Sequence, residues 1–383
     1  MGCSLQIPAS VHVGINSIEK LTEVICHTVA TKVALFTDKG VREAGLCNRA
    51  IEILSEQNVA YEIFDSVIAE PSFHDIEHII KQVSDTNVDL ILAIGGGSVM
   101  DTAKLASVLL GSTYTILDLI DDASLAKKMV RTIMVPTTCG TGSEATCNAI
   151  ISIPEESSKK GIVNISLIPD EVILDVQMIE KLPKSILAAT GVDALAHCVE
   201  CFTGKKANIL SDAYAKVGAS LIFSNLVKAY TNPDDLEAKL SLMVGAYFGG
   251  IAITGSGTTA VHGLSYPLGG KYHIPHGVSN AILFAPVMNF NRKSCQPQLA
   301  QLFDTVNPCM PNLDEETKSR YLVDQITEIV RDTEIPVSLK KFGINKTDLD
   351  FLVKAGFQQQ RLLANNPKLM SENDIQMIYE SVL

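Results

Sequence analysis

Basic residues are in short supply. Lysine and arginine together number 31 against 43 acidic residues, a formal net charge of −12. That balance argues against a nucleic-acid partner, because phosphate binding wants clustered cations. Long apolar runs are lacking as well: no stretch approaches the ~18 uninterrupted apolar residues of a membrane span, so no membrane partner is expected. The opening MGCSLQIPASVHVG has neither the basic start nor the apolar core of a signal peptide, and Gln6 stands where a myristoylation site wants Ser or Thr. Nine cysteines, an odd count scattered along the chain, offer no disulfide framework and read as reduced thiols in a cytoplasm. Internal repeats and low-complexity tracts are absent. What is left is an acidic chain of 383 residues, 46% hydrophobic and 19% charged, with the composition of a soluble globular protein and the length of roughly two domains.

The first half alternates strand and helix signals. KVALFTD (32–38) is a short apolar run ending in a turn, followed by helical spacing over Val41–Gln57. Ala60–Phe64 reads as a strand and Ser72–Asp85 as a helix. NVDLILAIGGGS (87–98) is a buried strand running into glycines, then a helix from Val99 to about Leu110, then a strand at TIMVPTT (132–138). Such alternation implies a mostly parallel sheet covered on both faces. The character changes near Leu182–Pro183, after which apolar residues recur at helical intervals, as in Ile186–Cys201, Ile209–Ala229 and Leu236–Ile253. The expected organisation is an α/β domain over residues 1–180 and an all-helical domain over 181–383.

Two loops of the first domain suit a nucleotide. In AIGGGSVMD (93–101), Gly95, Gly96 and Gly97 leave backbone N–H groups free to approach a phosphate at a helix N-terminus. Ser98 is placed to cap that helix, with Asp101 in its first turn; a tight strand-to-helix turn without a ligand would use the same glycines. VPTTCGTGSEAT (135–146) puts Thr137 and Thr138 directly after a strand, where hydroxyls suit a pyrophosphate or ribose, or a helix cap at Ser143–Glu144. Asp38 ends an earlier strand, where a carboxylate can accept bonds from the ribose hydroxyls of NAD and repel the 2′-phosphate of NADP. The acid precedes the glycines by 57 residues, the reverse of the usual Rossmann order, so a dinucleotide site here has a different topology.

Histidine is scarce, eight in all, yet His262, His273 and His276 fall within the seventeen residues VHGLSYPLGGKYHIPHG (261–277). A buried imidazole needs a partner for each ring nitrogen, and metal binding or proton transfer supplies one. In GVDALAHCVECF (191–202), Asp193 and His197 are four apart and project from one helix face. With His262 and His276 they make an N₃O set carrying one formal negative charge, suited to a divalent ion that polarises a carbonyl or lowers the pKa of an alcohol. Imidazole and carboxylate suit Fe²⁺ and Zn²⁺ alike. Cys198 and Cys201 form a C-x-x-C beside His197, but no second such pair completes a structural zinc site, and packed thiols are expected.

GGGSVMDTAK, PTTCGTGSEAT, GVDALAHCVE and HGLSYPLGGKYHIPHGVSNAILFAPVMNFN resemble, in order and spacing, the iron-containing (group III) alcohol dehydrogenase family. The resemblance covers essentially the whole chain. It implies a dinucleotide-binding α/β domain and a helical domain with the active site between them, the dehydroquinate synthase-like fold. It also implies NAD(H), a divalent metal and a homodimer or larger assembly. Asp193, His197, His262 and His276 match the family's metal-ligand positions; Gly95, Gly96, Gly97, Ser98 and Asp101 match its phosphate loop; Thr137, Thr138 and Lys160 match positions near the cofactor, and Asp38 its NAD-selecting acid. One position departs. Many members carry a further histidine, often taken as a proton relay, four residues after the third ligand, where this chain has Tyr266, while His273 stands eleven after it. His273 is the expected acid–base group, with Tyr266 lining the pocket.

The expected substrate is a small primary alcohol or aldehyde. Asn148, Ile253 and Tyr266 are candidate pocket residues, and the cations Lys160 and Lys271 would suit a carboxylate, sulfonate or phosphonate tail. A glycerol-type secondary-alcohol dehydrogenase or a dehydroquinate-synthase-like lyase would use a similar metal site, though a lyase on a polyanionic sugar acid needs more Lys and Arg than these motifs hold. A non-catalytic nucleotide- or metal-binding protein is the reading from a different class.

Overall fold

The computed structural model describes residues 2–156, 158–310 and 313–383. The chain divides into two compact units: Gln6–Thr138 with Gly142–Leu182, and Pro183–Leu383 with Met1–Leu5 and Cys139–Thr141.

The first unit is built on a six-stranded sheet. Its strands are β1 (Ser10–Gly14), β2 (Lys32–Phe36), β3 (Ala60–Phe64), β4 (Leu90–Gly95), β5 (Arg131–Pro136) and, after a hairpin of β6 (Asn148–Ile153) and β7 (Ser158–Val163), β8 (Glu171–Asp175). The order is β1-β8-β5-β4-β2-β3, and every pair is parallel. Side chains alternate across a strand. Leu90, Leu92 and Ile94 therefore join one core while Ile91 and Ala93 join the other. Burial on both faces is why these strands read as unbroken apolar runs rather than alternating ones.

The crossover helices are α1 (Leu21–Thr28), α2 (Lys39–Glu43), α3 (Asn48–Glu56), α4 (Phe73–Ser84), α5 (Gly97–Leu109) and α6 (Ile116–Asp121). Three expectations need correction here. The helix over Val41–Gln57 is two helices, because Gly45 at φ +77° turns the chain out of the α region. The glycine-loop helix starts at Gly97, with Gly96 as its N-cap and no side-chain cap bond, so Ser98 does not cap it and Asp101 lies beyond its first turn. No helix follows Ser143–Glu144; the chain makes a turn and enters β6. The hairpin leaves no strand signal in the sequence because its polar SKKG stretch lacks a strand-like apolar pattern.

The second unit is helical. Its leading elements are α7 (Lys184–Thr203), α8 (Ile209–Thr231), α9 (Leu236–Ser256), α10 (Ala260–Tyr272) and α11 (His276–Asn291). By length and hydropathy α7 and α9 would suffice to cross a membrane, yet 89% of the apolar window of α7 and 61% of that of α9 is buried inside the protein. A helix apolar all round belongs in a core, and α7 places three polar side chains that could bind or orient a ligand, Asp193, His197 and Glu200, in that core.

Candidate metal centre and nucleotide edge

Two helices and one helix start bring the four candidate ligands together. Asp193 and His197 sit one turn apart on α7, His262 lies in the first turn of α10, and His276 opens α11 behind Pro275. Pro275 fixes the entry to α11 at φ −52°, ψ 137°. The residue after His276 has to be small: a Cβ on Gly277 would lie 2.3 Å from the Ala189 carbonyl oxygen of α7. The glycine thus lets α11 approach α7 closely enough to deliver His276.

Measured from Asp193 Oδ1, the Nε2 atoms of His262, His276 and His197 lie at 3.5, 3.7 and 3.9 Å. Ligand atoms about 2.1 Å from a common tetrahedral ion are separated by ~3.4 Å, and the distances from Asp193 are close to that. Asp193, His262 and His276 form the tighter group, with ligand atoms within 4.8 Å of one another; His197 joins through Asp193 and stacks on His262 at 4.4 Å between ring centroids. Asp193, His197 and His262 are buried, whereas the His276 side chain is 28% exposed, so the site opens to solvent at His276.

Electrostatics and hydrogen bonding both call for a cation. Burial alone would raise Asp193, but His197, His276 and His262 together hold its carboxyl well below the usual range. Burial lowers His197 to about 4, so its ring is neutral, as a metal ligand must be. Burial opposes protonation of His262 too, yet the Glu200 and Asp193 carboxylates prevail and raise it to about 9. The Asn280 amide nitrogen lies 2.6 Å from Asp193 Oδ1 and 3.1 and 3.2 Å from the Nε2 atoms of His262 and His276. Two N–H hydrogens cannot serve three acceptors, and Asn280 Oδ1 is itself buried without a partner among the described residues. Three ligand-type atoms thus converge on a single amide group.

Two buried residues of this centre, Glu200 and Asn280, escaped the sequence reading. A signal was present for both. Glu200 follows Asp193 and His197 at i+7 and i+3 on α7, and Asn280 follows His276 at i+4 on α11, the spacings that stack side chains on one helix face.

The other expected residues of this unit are more scattered. Tyr266 is buried, with its ring centroid 6.2 Å from that of His276. Ile253 is buried on α9. His273 ends α10 in the left-handed conformation (φ 54°) and is exposed; its backbone N–H donates to Gly269 O, and its side chain makes no hydrogen bond or ion pair among the described residues. Lys271 is exposed, with its ammonium 3.9 Å above the Phe351 ring. Cys198 and Cys201 are free and buried, and burial pushes the Cys198 thiol up to about 12; both thiols are packed and inert.

In the α/β unit the expected nucleotide residues line up along one sheet edge. β2, β4 and β5 are neighbours with Phe36 opposite Ala93 and Gly95 opposite Pro136. Asp38, Gly95–Gly97 and Thr137–Thr138 therefore leave the carboxyl ends of three adjacent parallel strands, where open α/β sheets bind ligands. Thr137 N–H donates to Gly95 O at 3.0 Å, tying the two loops together. Gly95 is fixed by packing: a Cβ there would lie 2.6 Å from Val99 Cβ, whereas one on Gly96 would find its nearest neighbour, Thr138, at 3.5 Å.

Several of the side chains on this edge are occupied internally. Asp38 caps α2 by accepting from Val41 N–H, and Ser98 Oγ accepts from Glu70 N–H. Asp101 accepts from the Ser143 hydroxyl, from Ile150 N–H at 2.9 Å and from the buried Lys104 ammonium at 3.2 Å. It therefore links α5 to the loop before β6 and to β6 itself. Asn148 opens β6 and gives its carbonyl to Lys104, and Lys160 lies on β7 opposite Ile151.

A family model described as "Iron-containing alcohol dehydrogenase" matches residues 8–176, and one described as "Fe-containing alcohol dehydrogenase family, C-terminal" matches residues 187–383. Long-chain-alcohol dehydrogenase 1 of Geobacillus thermodenitrificans is 35% identical over 377 residues, covering 98% of this chain and 95% of that protein. Sulfoacetaldehyde reductase of Bilophila wadsworthia is 28% identical, covering 96% of each. Among solved structures, an alcohol dehydrogenase from Oenococcus oeni superposes with a TM-score of 0.95 at 26% identity, covering all of both chains.

Proposed function

Because the chain belongs to the iron-containing alcohol dehydrogenase family, we propose that it moves a hydride between a small primary alcohol or aldehyde and NAD(H), using a divalent ion, Fe²⁺ or Zn²⁺, held by Asp193, His197, His262 and His276. The observation that carries this is the spacing of three imidazole nitrogens 3.5–3.9 Å from one buried carboxylate oxygen. When bound, the ion supplies Lewis acidity toward a substrate oxygen. Asp193 cancels one of its charges and leaves the remainder to act. His276, the exposed member, marks where a substrate enters. Burial of the other three ligands keeps water from competing, which strengthens charge interactions at the reacting oxygen.

The nucleotide reading rests on the α/β edge. Gly96 and Gly97 offer backbone N–H groups at the start of α5, Thr137 and Thr138 offer hydroxyls beside them, and Asp38 keeps a carboxylate at the end of β2 for a ribose. Lys160 and Asn148 complete that side. On the helical unit, Tyr266 and Ile253 are the proposed substrate walls and His273 the proposed acid–base group. His273→Ala should remove one limb of the pH–rate profile; an unchanged profile would end its assignment. One relative is named for long-chain alcohols, whose tails are neutral, and another for sulfoacetaldehyde, whose sulfonate is anionic; Lys271 is the cation on this chain proposed to favour the second kind.

The test is anaerobic NADH oxidation by protein reloaded with Fe²⁺ or Zn²⁺, against short aldehydes with neutral and anionic tails. Metal-dependent turnover is expected. Absence of turnover with either ion, despite measurable NADH binding, overturns the reductase reading.

A further inference from the structure

We propose that Glu200 is a positioning residue that sets the tautomer of His262 and so decides which ring nitrogen faces the metal. The inference rests on the metal reading above and adds a residue to it. Glu200 has no solvent exposure. Its Oε1 accepts from Thr259 N–H at 3.2 Å, the Thr259 hydroxyl at 2.5 Å and Val261 N–H at 2.8 Å, while its Oε2 meets His262 Nδ1. An ionised carboxylate only accepts, so the hydrogen between Oε2 and the ring must sit on Nδ1. In the neutral form that a metal ligand requires, a ring with its hydrogen there has its lone pair on Nε2, the atom 3.5 Å from Asp193 Oδ1. The other tautomer would set the Nδ1 lone pair against a carboxylate and point an N–H into the ligand set.

The same carboxylate also fixes where His262 stands. Thr259 is the N-cap of α10 and makes no side-chain cap bond within its own helix. Glu200 caps it from α7 instead, satisfying two N–H groups that a helix start leaves unpaired. One residue thus ties the third ligand to the helix that carries the first two. His197 has no equivalent: its Nδ1 forms no well-made hydrogen bond among the described residues, although the Gly140 backbone lies near enough to favour its protonation. Of these two buried imidazoles, His262 is the one oriented in advance.

Glu200→Gln separates tautomer from scaffold. An amide has one acceptor and one donor end. If its oxygen keeps the three α10 donors, its NH₂ meets Nδ1 and drives the ring's hydrogen to Nε2, against the metal. The probe is Co²⁺ alone, with Zn²⁺ competition against a chromogenic chelator, on the full chain without NAD(H) or aldehyde. Wild type is expected to bind a single Co²⁺ with a ligand-field spectrum, and Asp193→Ala to bind none. Glu200→Gln should bind about 10- to 100-fold more weakly, with a near-unchanged melting temperature when metal-free. Binding by Glu200→Gln within about twofold of wild type overturns the role of Glu200 and leaves the metal site standing. Failure of wild type to bind, or equal binding by Asp193→Ala, removes the metal reading and this inference with it. Should Glu200→Gln fail to fold, ¹⁵N-histidine spectra of Zn²⁺-loaded wild type decide the matter: a hydrogen on His262 Nδ1 supports the proposal, and its absence refutes it.

Discussion

The metal centre and the nucleotide edge are built in opposite ways. At the first, side chains from three helices converge, and two of the candidate ligands are set by neighbours: His262 by Glu200, His276 by Pro275 and Gly277. At the second, the groups left open are backbone amides and small residues at strand ends, while the conspicuous side chains Asp38, Ser98 and Asp101 are engaged in the protein's own hydrogen bonds. A side-chain site fails abruptly when one member is removed. A backbone site tolerates side-chain loss and fails when the chain path moves.

The sharpest break should come at the side-chain site. Asp193→Ala is expected to abolish metal binding and lower kcat/KM by at least about 10³-fold, some 4 kcal/mol of transition-state stabilisation, read by metal analysis and steady-state kinetics together. A metal-free, fully active variant would sink the assignment. At the backbone site the informative pair is Gly95→Ala and Gly96→Ala. The first forces a Cβ into Val99 and should cost roughly 1–3 kcal/mol of stability, seen as a lower denaturation midpoint. The second has room, so its stability should hold while KM for NADH rises; the reverse order would refute the packing account.

Glu144 tests whether the nucleotide-edge loop stores buried charge. It is buried, and burial raises its pKa from 4.5 to about 7. A carboxyl raised on folding favours the folded state while protonated, so its contribution falls as pH climbs from 4.5 through about 7 and then levels. Wild type should therefore lose more thermal stability between pH 5 and pH 8 than Glu144→Gln does. Parallel pH profiles for the two proteins would exclude that cost. The smallest effect is expected at Lys271, which is exposed over Phe351. Lys271→Ala should raise KM a fewfold for anionic aldehydes and leave that for propanal unchanged, consistent with the ~1 kcal/mol ceiling on an exposed charge contact.

Much of this was legible residue by residue. The β4 run into Gly95 and the helix behind it, the Ala60–Phe64 strand and the long apolar helices α7 to α9 follow directly from period and punctuation. So does the Asp193–His197 spacing. The hairpin β6–β7 and the break at Gly45 were hidden, the first because its polar strand lacks a period and the second because the apolar pattern runs on across it. Asp101 illustrates a subtler limit. Its position in the glycine motif does not reveal that its oxygens go to Ser143, Ile150 and Lys104, residues 42, 49 and 3 positions away.

By itself, then, the sequence determined the fold class, the family, the strand-end loops and the pairing of Asp193 with His197, because each is written in local spacing or in a contiguous motif. Only the tertiary structure decided what completes the centre. Glu200 must cross from α7 to the start of α10 to reach His262, and Asn280 of α11 must reach Asp193 of α7. Those contacts span 62 and 87 residues, and hydrogen bonding at such separations is set by how helices pack, which no local pattern encodes.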